Sequence, residues 1–344
     1  MGAMSLPITT LGDGLRVSAL GFGGMALSDV YGATDPDEGV RTLHAALDAG
    51  VTFLDTADVY GTPREGTTGP SGTNEELVAR VLADRRGEVQ LATKFGITGQ
   101  VGKGATPTRG DRDYVRQACE NSLRRLGTDT IDLYYMHRRQ LDLPITETVA
   151  AMAELVTEGK VRHLGLSEVT ATELAEAVAV HPIAAVQSEW SIWSRDVEAN
   201  VVPKAVELGV GFVPYSPLGR GFLTGTMTAD RVASTLLSKS PRFSEHLDAN
   251  QKVVDVIREV AGELDATAAQ VALAWVYAQG AAFGVPTVPI PGTRSAQRVV
   301  ENAGAVSLTL SAEQKSRLDA AADLVQGGRN FSFATDDWIS SGRE

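Results

Sequence analysis

The chain has a single cysteine, Cys119, in 344 residues. An intramolecular disulfide is thereby excluded, and the helical spacing of Val115, Cys119, Ser122 and Leu126 marks the thiol as a core group and not a reactive one. No apolar run approaches the roughly 20 residues needed to cross a bilayer, and no basic N-terminal stretch leads into an apolar one. Excess positive charge is lacking as well: 31 Lys and Arg stand against 43 Asp and Glu, a net charge of -12. That balance disfavours non-specific attraction to nucleic acid or to an anionic membrane. His44, His137, His163, His181 and His246 form neither an H-x-H nor an H-x-x-x-H pair, so the ligand spacing of a metal-dependent barrel hydrolase is missing. A protein acting on a small molecule, cytoplasmic and without a metal, is what these absences leave; they say nothing of oligomeric state. Residues 1–5 are expected to be a tag or a disordered start, and residues 6–344 a single domain, since no linker or low-complexity block divides them.

Short runs rich in Val, Ile, Leu and aromatics recur at 52–57, 89–95, 131–137, 161–167, 184–190, 210–216 and 287–291. Each is too short for a core helix and suits a buried parallel strand. Helical patterns with start signals lie between them: Pro36 follows Asp35, and Thr73/Glu76, Thr170/Glu173 and Ser311/Gln314 have capping-box spacing. With 19–23 as the first strand and a hairpin at 8–17 before it, the alternation predicts an α/β fold, a (β/α)8 TIM barrel with a short N-terminal hairpin. The rhythm breaks over 216–249, a loop of functional length. It breaks again in the tail from Gln326 to Glu344, where Phe331, Phe333 and Trp338 predict docking onto the barrel. Gly21 to Ala26 matches G-x-G-x-x-A, but no helix follows at once, as a dinucleotide fingerprint requires. The stretch around Gly102 and Lys103 lacks both the first glycine and the Ser or Thr of a phosphate loop.

Asp55, Tyr60, Lys94 and His137 each stand where an apolar strand runs out, and a barrel brings such positions to one mouth. Their chemistries are complementary. A carbonyl that accepts hydride becomes an alkoxide and needs a proton from an acid still protonated at neutral pH, which a tyrosine is. Lys94 is expected to lower the phenol's pKa, Asp55 to hold Lys94 charged and aimed, and His137 to donate a hydrogen bond to the carbonyl oxygen.

Residues 50–61 (GVTFLDTADVYG), 92–96 (ATKFG) and 132–138 (DLYYMHR) resemble the signatures of the aldo-keto reductase superfamily, and the resemblance runs over about residues 6 to 325. Within it the chain resembles a microbial and plant branch of auxin-induced and pyridoxal-reductase-like proteins. The resemblance implies that Asp55, Tyr60, Lys94 and His137 are a catalytic tetrad and that a nicotinamide dinucleotide lies across the barrel mouth. Ser167 and Gln187 match the residues that hold the carboxamide, and Tyr215 the aromatic that stacks on the nicotinamide. Gly24 and Met25, and the stretch Ser216, Pro217, Leu218, Gly219, Arg220 and Gly221, belong to the same implied site. Ile290, Gly292, Thr293, Arg294, Gln297, Arg298, Glu301 and Asn302 resemble the adenosine-phosphate site; two arginines at a helix start favour a 2'-phosphate, hence NADPH over NADH. Glu168 departs from the common Asn, which puts one carboxamide contact in doubt, and Trp190 departs from a common Tyr. Tyr31, Phe95, Trp190 and Trp193, with the tail aromatics, are expected to wall a pocket for a largely apolar aldehyde or ketone; Arg138 and Arg139 could recognise an acid group, but are read as surface cations. The implied function is NADPH-dependent carbonyl reduction; the alternative is a cofactor-binding regulatory protein on the same scaffold with little turnover.

Overall fold

The computed structural model describes residues 5–100 and 107–344. The phosphate-loop look-alike at Gly102 and Lys103, and most of the expected tag, lie outside the described residues. Strands β1 (Ile8–Thr10) and β2 (Arg16–Ser18) pair antiparallel as the N-terminal hairpin. The barrel then runs β3 (Gly21–Gly23), α1 (Pro36–Asp48), β4 (Phe53–Asp55), α2 (Thr73–Arg85), β5 (Gln90–Phe95), α3 (Arg112–Leu126), β6 (Ile131–Met136), α4 (Ile145–Thr157), β7 (Val161–Ser167), α5 (Ala171–Val178), β8 (Ala185–Glu189), α6 (Val201–Glu207) and β9 (Gly211–Tyr215). Beyond it come α7 (Ala229–Ala233), α8 (Pro241–Ser244), α9 (Leu247–Glu263), α10 (Ala268–Phe283), α11 (Ala296–Gly304) and α12 (Ala312–Ala320). Strands β3 to β9 are parallel and lie side by side in sequence order, the arrangement of a TIM barrel.

The eighth position, 287–291, closes the ring without forming a regular ladder. On one side Val288 N donates to Phe212 O and Ile290 N to Pro214 O; on the other Gly21 N and Gly23 N donate to Pro289 O and Pro291 O. The residues that face β3 are prolines and have no N–H to give back, so bonds on that edge run in one direction only.

Alternation along the strands sets what faces inward. Phe53, Ala92, Leu133, Tyr135, Ala185, Val213 and Val288 share the cluster inside the barrel, together with Leu11, Leu15 and Val17 of the hairpin, which stops its lower end. Their neighbours Leu54, Leu91, Tyr134, Leu164, Val186 and Phe212 pack outward against the helices. Two residues above the inward set, the period of 2 brings Asp55, Lys94, His137, Gln187 and Tyr215 to the upper rim. A single layer of the barrel therefore carries the polar groups.

Most helix starts are as the sequence suggests. Asp35 accepts from Asp37 N at α1, and both partners of the capping boxes at Thr170/Glu173 and Ser311/Gln314 are made. The Thr73/Glu76 box is not: Thr73 is already inside α2. The carbonyls of Asp58 and Tyr60 accept from Gly72 N and Asn74 N instead, so the helix start is tied to the backbone of the loop that carries Tyr60. Cys119 is fully buried on α3, and burial pushes its thiol up to about 12. The 216–249 region holds α7, α8 and short turns, and the tail docks. Among the described residues, no helix is long and apolar enough to cross a membrane.

Candidate active site

Asp55, Tyr60, Lys94 and His137 meet at the upper rim and are nearly closed to solvent, with 3, 8, 0 and 7% of their surface exposed. Lys94 Nζ donates to Asp55 Oδ1, to Thr56 O at 2.9 Å and to Tyr60 Oη at 3.4 Å. Gln187 Nε2 donates to the other Asp55 oxygen at 2.9 Å. The rings of Tyr60 and His137 meet edge to face, 5.5 Å between centroids. The β4–β5 ladder continues past Asp55, with Thr56 N donating to Ala92 O and Asp58 N to Lys94 O. Tyr60 therefore sits on a braced turn, although it belongs to no strand.

Burial dominates the protonation of all four. It pushes Asp55 up and Lys94 down, each against the attraction of the other. It drives His137 well below the usual imidazole value, aided by the charges of Lys94 and Arg138, so the ring is neutral. Tyr60 is pushed well above the ordinary phenol value by burial and by the Asp55 charge. The expected lowering of the phenol by Lys94 is thus corrected, since that ammonium is neutralised by Asp55. The arrangement keeps Tyr60 protonated.

The tetrad opens into a cleft of about 1400 Å3. Met25, Tyr31, Gln187, Tyr215, Ser216, Pro217 and Leu218 line its length, and Ile290, Gly292, Thr293, Arg294, Arg298, Glu301 and Asn302 its far end. Arg294 donates to the carbonyls of Tyr31, Gly32 and Ala33, which binds the 31–33 turn to this end without neutralising the charge. Arg231 of α7 joins the cluster; burial, then repulsion from Arg294 and Arg298, lowers its guanidinium. Among the described residues none of these three arginines has a carboxylate within 4.0 Å.

The sequence signature of the aldo/keto reductase family matches residues 19–323. The chain belongs to the aldo/keto reductase family. It is 42% identical over 334 residues to "Probable aldo-keto reductase 1" of Glycine max, covering 95% of this chain and 92% of that one. Among solved structures it resembles an aldo-keto reductase from Bacillus halodurans in its holo form, at 30% identity and TM-score 0.73 over 94% of this chain and 98% of the other. It also resembles a glycerol dehydrogenase from Gluconobacter oxydans, at 28% identity and TM-score 0.79 over 93% and 95%. This aldo-keto reductase is accordingly an oxidoreductase of carbonyl reduction, with the dependence on a nicotinamide cofactor typical of its family.

Several expected positions differ in the reductase's structure. Phe95 follows inward Lys94 and so turns outward, stacking on Tyr134 at 5.0 Å. Trp190 packs on Phe212 at 5.0 Å and donates its indole N–H to Glu198. Trp193 stacks on Phe222 at 4.8 Å. All three are core residues and do not wall the pocket; of the four expected there, Tyr31 lines the cleft. Gly24, Gly219 and Gln297 do not line it either. A Cβ at Gly24 would lie 2.6 Å from Asp55 O, and one at Gly219 would lie 2.7 Å from Trp193, so both serve close packing behind the rim; Gln297 is exposed. Arg220 and Gly221 do line it, with the Arg220 guanidinium already paired to Glu189 at 2.9 Å. Ser167 Oγ accepts from Arg138 at 3.3 Å.

What sequence reasoning missed is the anchor of the tail. Glu168 is wholly buried and accepts from Arg329 at 2.8 and 3.0 Å, from Ser340 N at 2.9 Å and from Tyr215 Oη at 2.9 Å. Arg329 also pairs with Asp196, and Arg343 with Glu173. Glu168 therefore ties the tail to the hydroxyl of Tyr215, and its carboxyl is held far below the usual range: Arg329 overcomes the opposing effect of burial. A carboxylate predicted at a strand end inside a barrel demands a cation; that signal was available, though it did not name Arg329.

Proposed function

We propose that the protein reduces aldehydes or ketones to alcohols with NADPH, Tyr60 delivering the proton. The observation that carries this reading is one cleft joining the buried tetrad to Arg231, Arg294 and Arg298, three cations that among the described residues have no carboxylate within 4.0 Å. A 2'-phosphate supplies the missing negative charge at that end, helped by the N-terminus of α11. Bound there, the nicotinamide would supply a hydride to the carbonyl carbon. The chain's own residues do the rest. His137, neutral and with Nδ1 unpartnered, offers a ring N–H to the carbonyl oxygen. Tyr60 Oη gives its proton to that oxygen as the alkoxide forms, and the phenolate is reprotonated from solvent. Lys94 and Asp55 keep a compensated charge beside the phenolate, and Trp338 of the tail, packed with Met25 against Tyr60, Val59 and Ile97, limits water there.

The test is cofactor consumption by the purified chain against a panel of aldehydes, dicarbonyls, pyridoxal and sugar-derived ketones, with NADPH and NADH in parallel. Turnover with NADPH at least about tenfold more efficient than with NADH is expected, the worth of one or two charge-assisted bonds. Tight NADPH binding with no turnover across the panel would replace the enzyme reading with a regulatory one.

A further inference from the structure

The cations around the catalytic end of the cleft are of two kinds. Arg139 and Arg343 are neutralised by Glu173, Arg220 by Glu189, and Arg329 by Glu168 and Asp196. Arg138 is not. It follows His137 at the end of β6, half-buried, and lines the cleft with Tyr60 and His137. Among the described residues no carboxylate oxygen comes within 4.0 Å of it. Glu168, the carboxylate whose titration feels the charge of Arg138, is already filled by Arg329, Ser340 and Tyr215.

The side chain is nevertheless held in place. Its Nη1 donates to His137 O at 2.7 Å and to Ser167 Oγ at 3.3 Å, and its guanidinium carbon lies 5.3 Å from the centroid of the Trp338 ring. Its Nε is buried and has no hydrogen-bond partner. Carbonyl, hydroxyl and aromatic face orient the fork but leave its charge unmatched, and an unmatched cation with a buried idle donor is unfavourable until an anion completes it. The cofactor's phosphate has its own cluster at Arg231, Arg294 and Arg298, at the other end of the cleft. The anion that meets Arg138 would arrive with the carbonyl.

We propose that Arg138 is the anion-recognising residue of the substrate pocket, so that the favoured substrates are aldehydes or ketones carrying a carboxylate or phosphate a few bonds from the carbonyl. This rests on the reading of the protein as a carbonyl reductase. With Nη1 occupied and Nε buried, Nη2 is the donor left to take an oxygen of either anion in charge-assisted bonds, and the indole of Trp338 helps hold the guanidinium in place.

The experiment uses the full chain with NADPH and matched substrates: 4-carboxybenzaldehyde against its methyl ester, and glyceraldehyde 3-phosphate against glyceraldehyde. The unmodified protein is expected to favour at least one anionic member by about tenfold or more in kcat/KM, mainly through KM, as a charge-assisted pair allows. In Arg138→Met the ratio of anionic to neutral substrate should fall to about one, and Arg138→Lys should restore part of it. Which pair shows the ratio tells carboxylate from phosphate. A ratio that survives Arg138→Met, or no preference for either anion before substitution, overturns the proposal. Binding of the product 4-(hydroxymethyl)benzoate, followed by tryptophan fluorescence, gives a readout free of turnover. If no substrate is reduced but this anion still binds in an Arg138-dependent way, the subsite stands and the reductase reading falls. Binding unaffected by Arg138→Met sinks the subsite.

Discussion

The two ends of the cleft treat charge in opposite ways. At the catalytic end Asp55 and Lys94 form a closed pair deep in the rim, with Gln187 and the Thr56 carbonyl filling the remaining positions. At the far end Arg231, Arg294 and Arg298 repel one another and, among the described residues, have no carboxylate within 4.0 Å, and Arg298 is exposed. The first set comes from strand ends and a turn braced by the sheet; the second comes from α7, from α11 and from the segment that leads into it. Beside Tyr60, Asp55 and Lys94 are matched to each other within the fold, at the ends of neighbouring strands. On the proposed reading the negative charge at the far end arrives with the cofactor, and its cations stand on α7, on α11 and on the segment before it.

The largest expected effect separates the ends by kcat. Tyr60→Phe removes the proton while leaving the aromatic body in place, and the only hydrogen bond described for the hydroxyl is the 3.4 Å contact with Lys94. The fold should be unaffected and kcat should drop by about 10²–10⁴, the usual worth of a positioned general acid, with KM for NADPH little changed. Steady-state rates within a few-fold of the parent would remove Tyr60 from the role and leave the catalytic end unexplained. Arg231→Ala or Arg298→Ala should do the reverse. Each is expected to raise KM for NADPH by about tenfold, one lost charge-assisted bond, with kcat and the parameters for NADH nearly constant. Equal losses with NADH and NADPH would mean that the cluster does not read the 2'-phosphate.

The same contrast explains what could be read from the sequence. Asp55, Lys94 and His137 were legible because an apolar run with a polar residue at its C-terminal end has one meaning in a barrel, and the period of 2 does the placing. Tyr60 became legible from the family motif, since no periodicity extends to a turn. Phe95, expected in the pocket wall, fails that same parity test, since it is one residue beyond Lys94 and has to face outward, whereas Tyr31 and the tail aromatics Phe331, Phe333 and Trp338 do line the cleft. Arg231 and the Arg329–Glu168 anchor were not legible, because their positions depend on how the irregular 216–249 region and the tail return to the barrel. The Arg329–Glu168 pair joins residues 161 apart in the chain, and no local pattern encodes such contacts.

The smallest effect tests whether His137 stays neutral in the folded enzyme. His137 is depressed well below the usual imidazole value by burial and by the neighbouring cations Lys94 and Arg138. A group whose folded value is lowered favours the folded state above its unfolded pKa of about 6.5 and loses that contribution as pH falls, because only the unfolded chain then takes up the proton. Across pH 6 to 8 the ring stays neutral, so kcat/KM should show no imidazole step in that range. Below about pH 6.5 the urea-unfolding free energy should fall with a slope of up to about 1.4 kcal/mol per pH unit from this one residue, and His137→Gln should lose that part of the slope. Every other residue is common to the two proteins and cancels in the difference. A kinetic step near pH 6.5 that disappears in His137→Gln would show instead that the ring charges in the folded enzyme, and that the cations around it are screened in a way the closed pair of Asp55 and Lys94 does not allow.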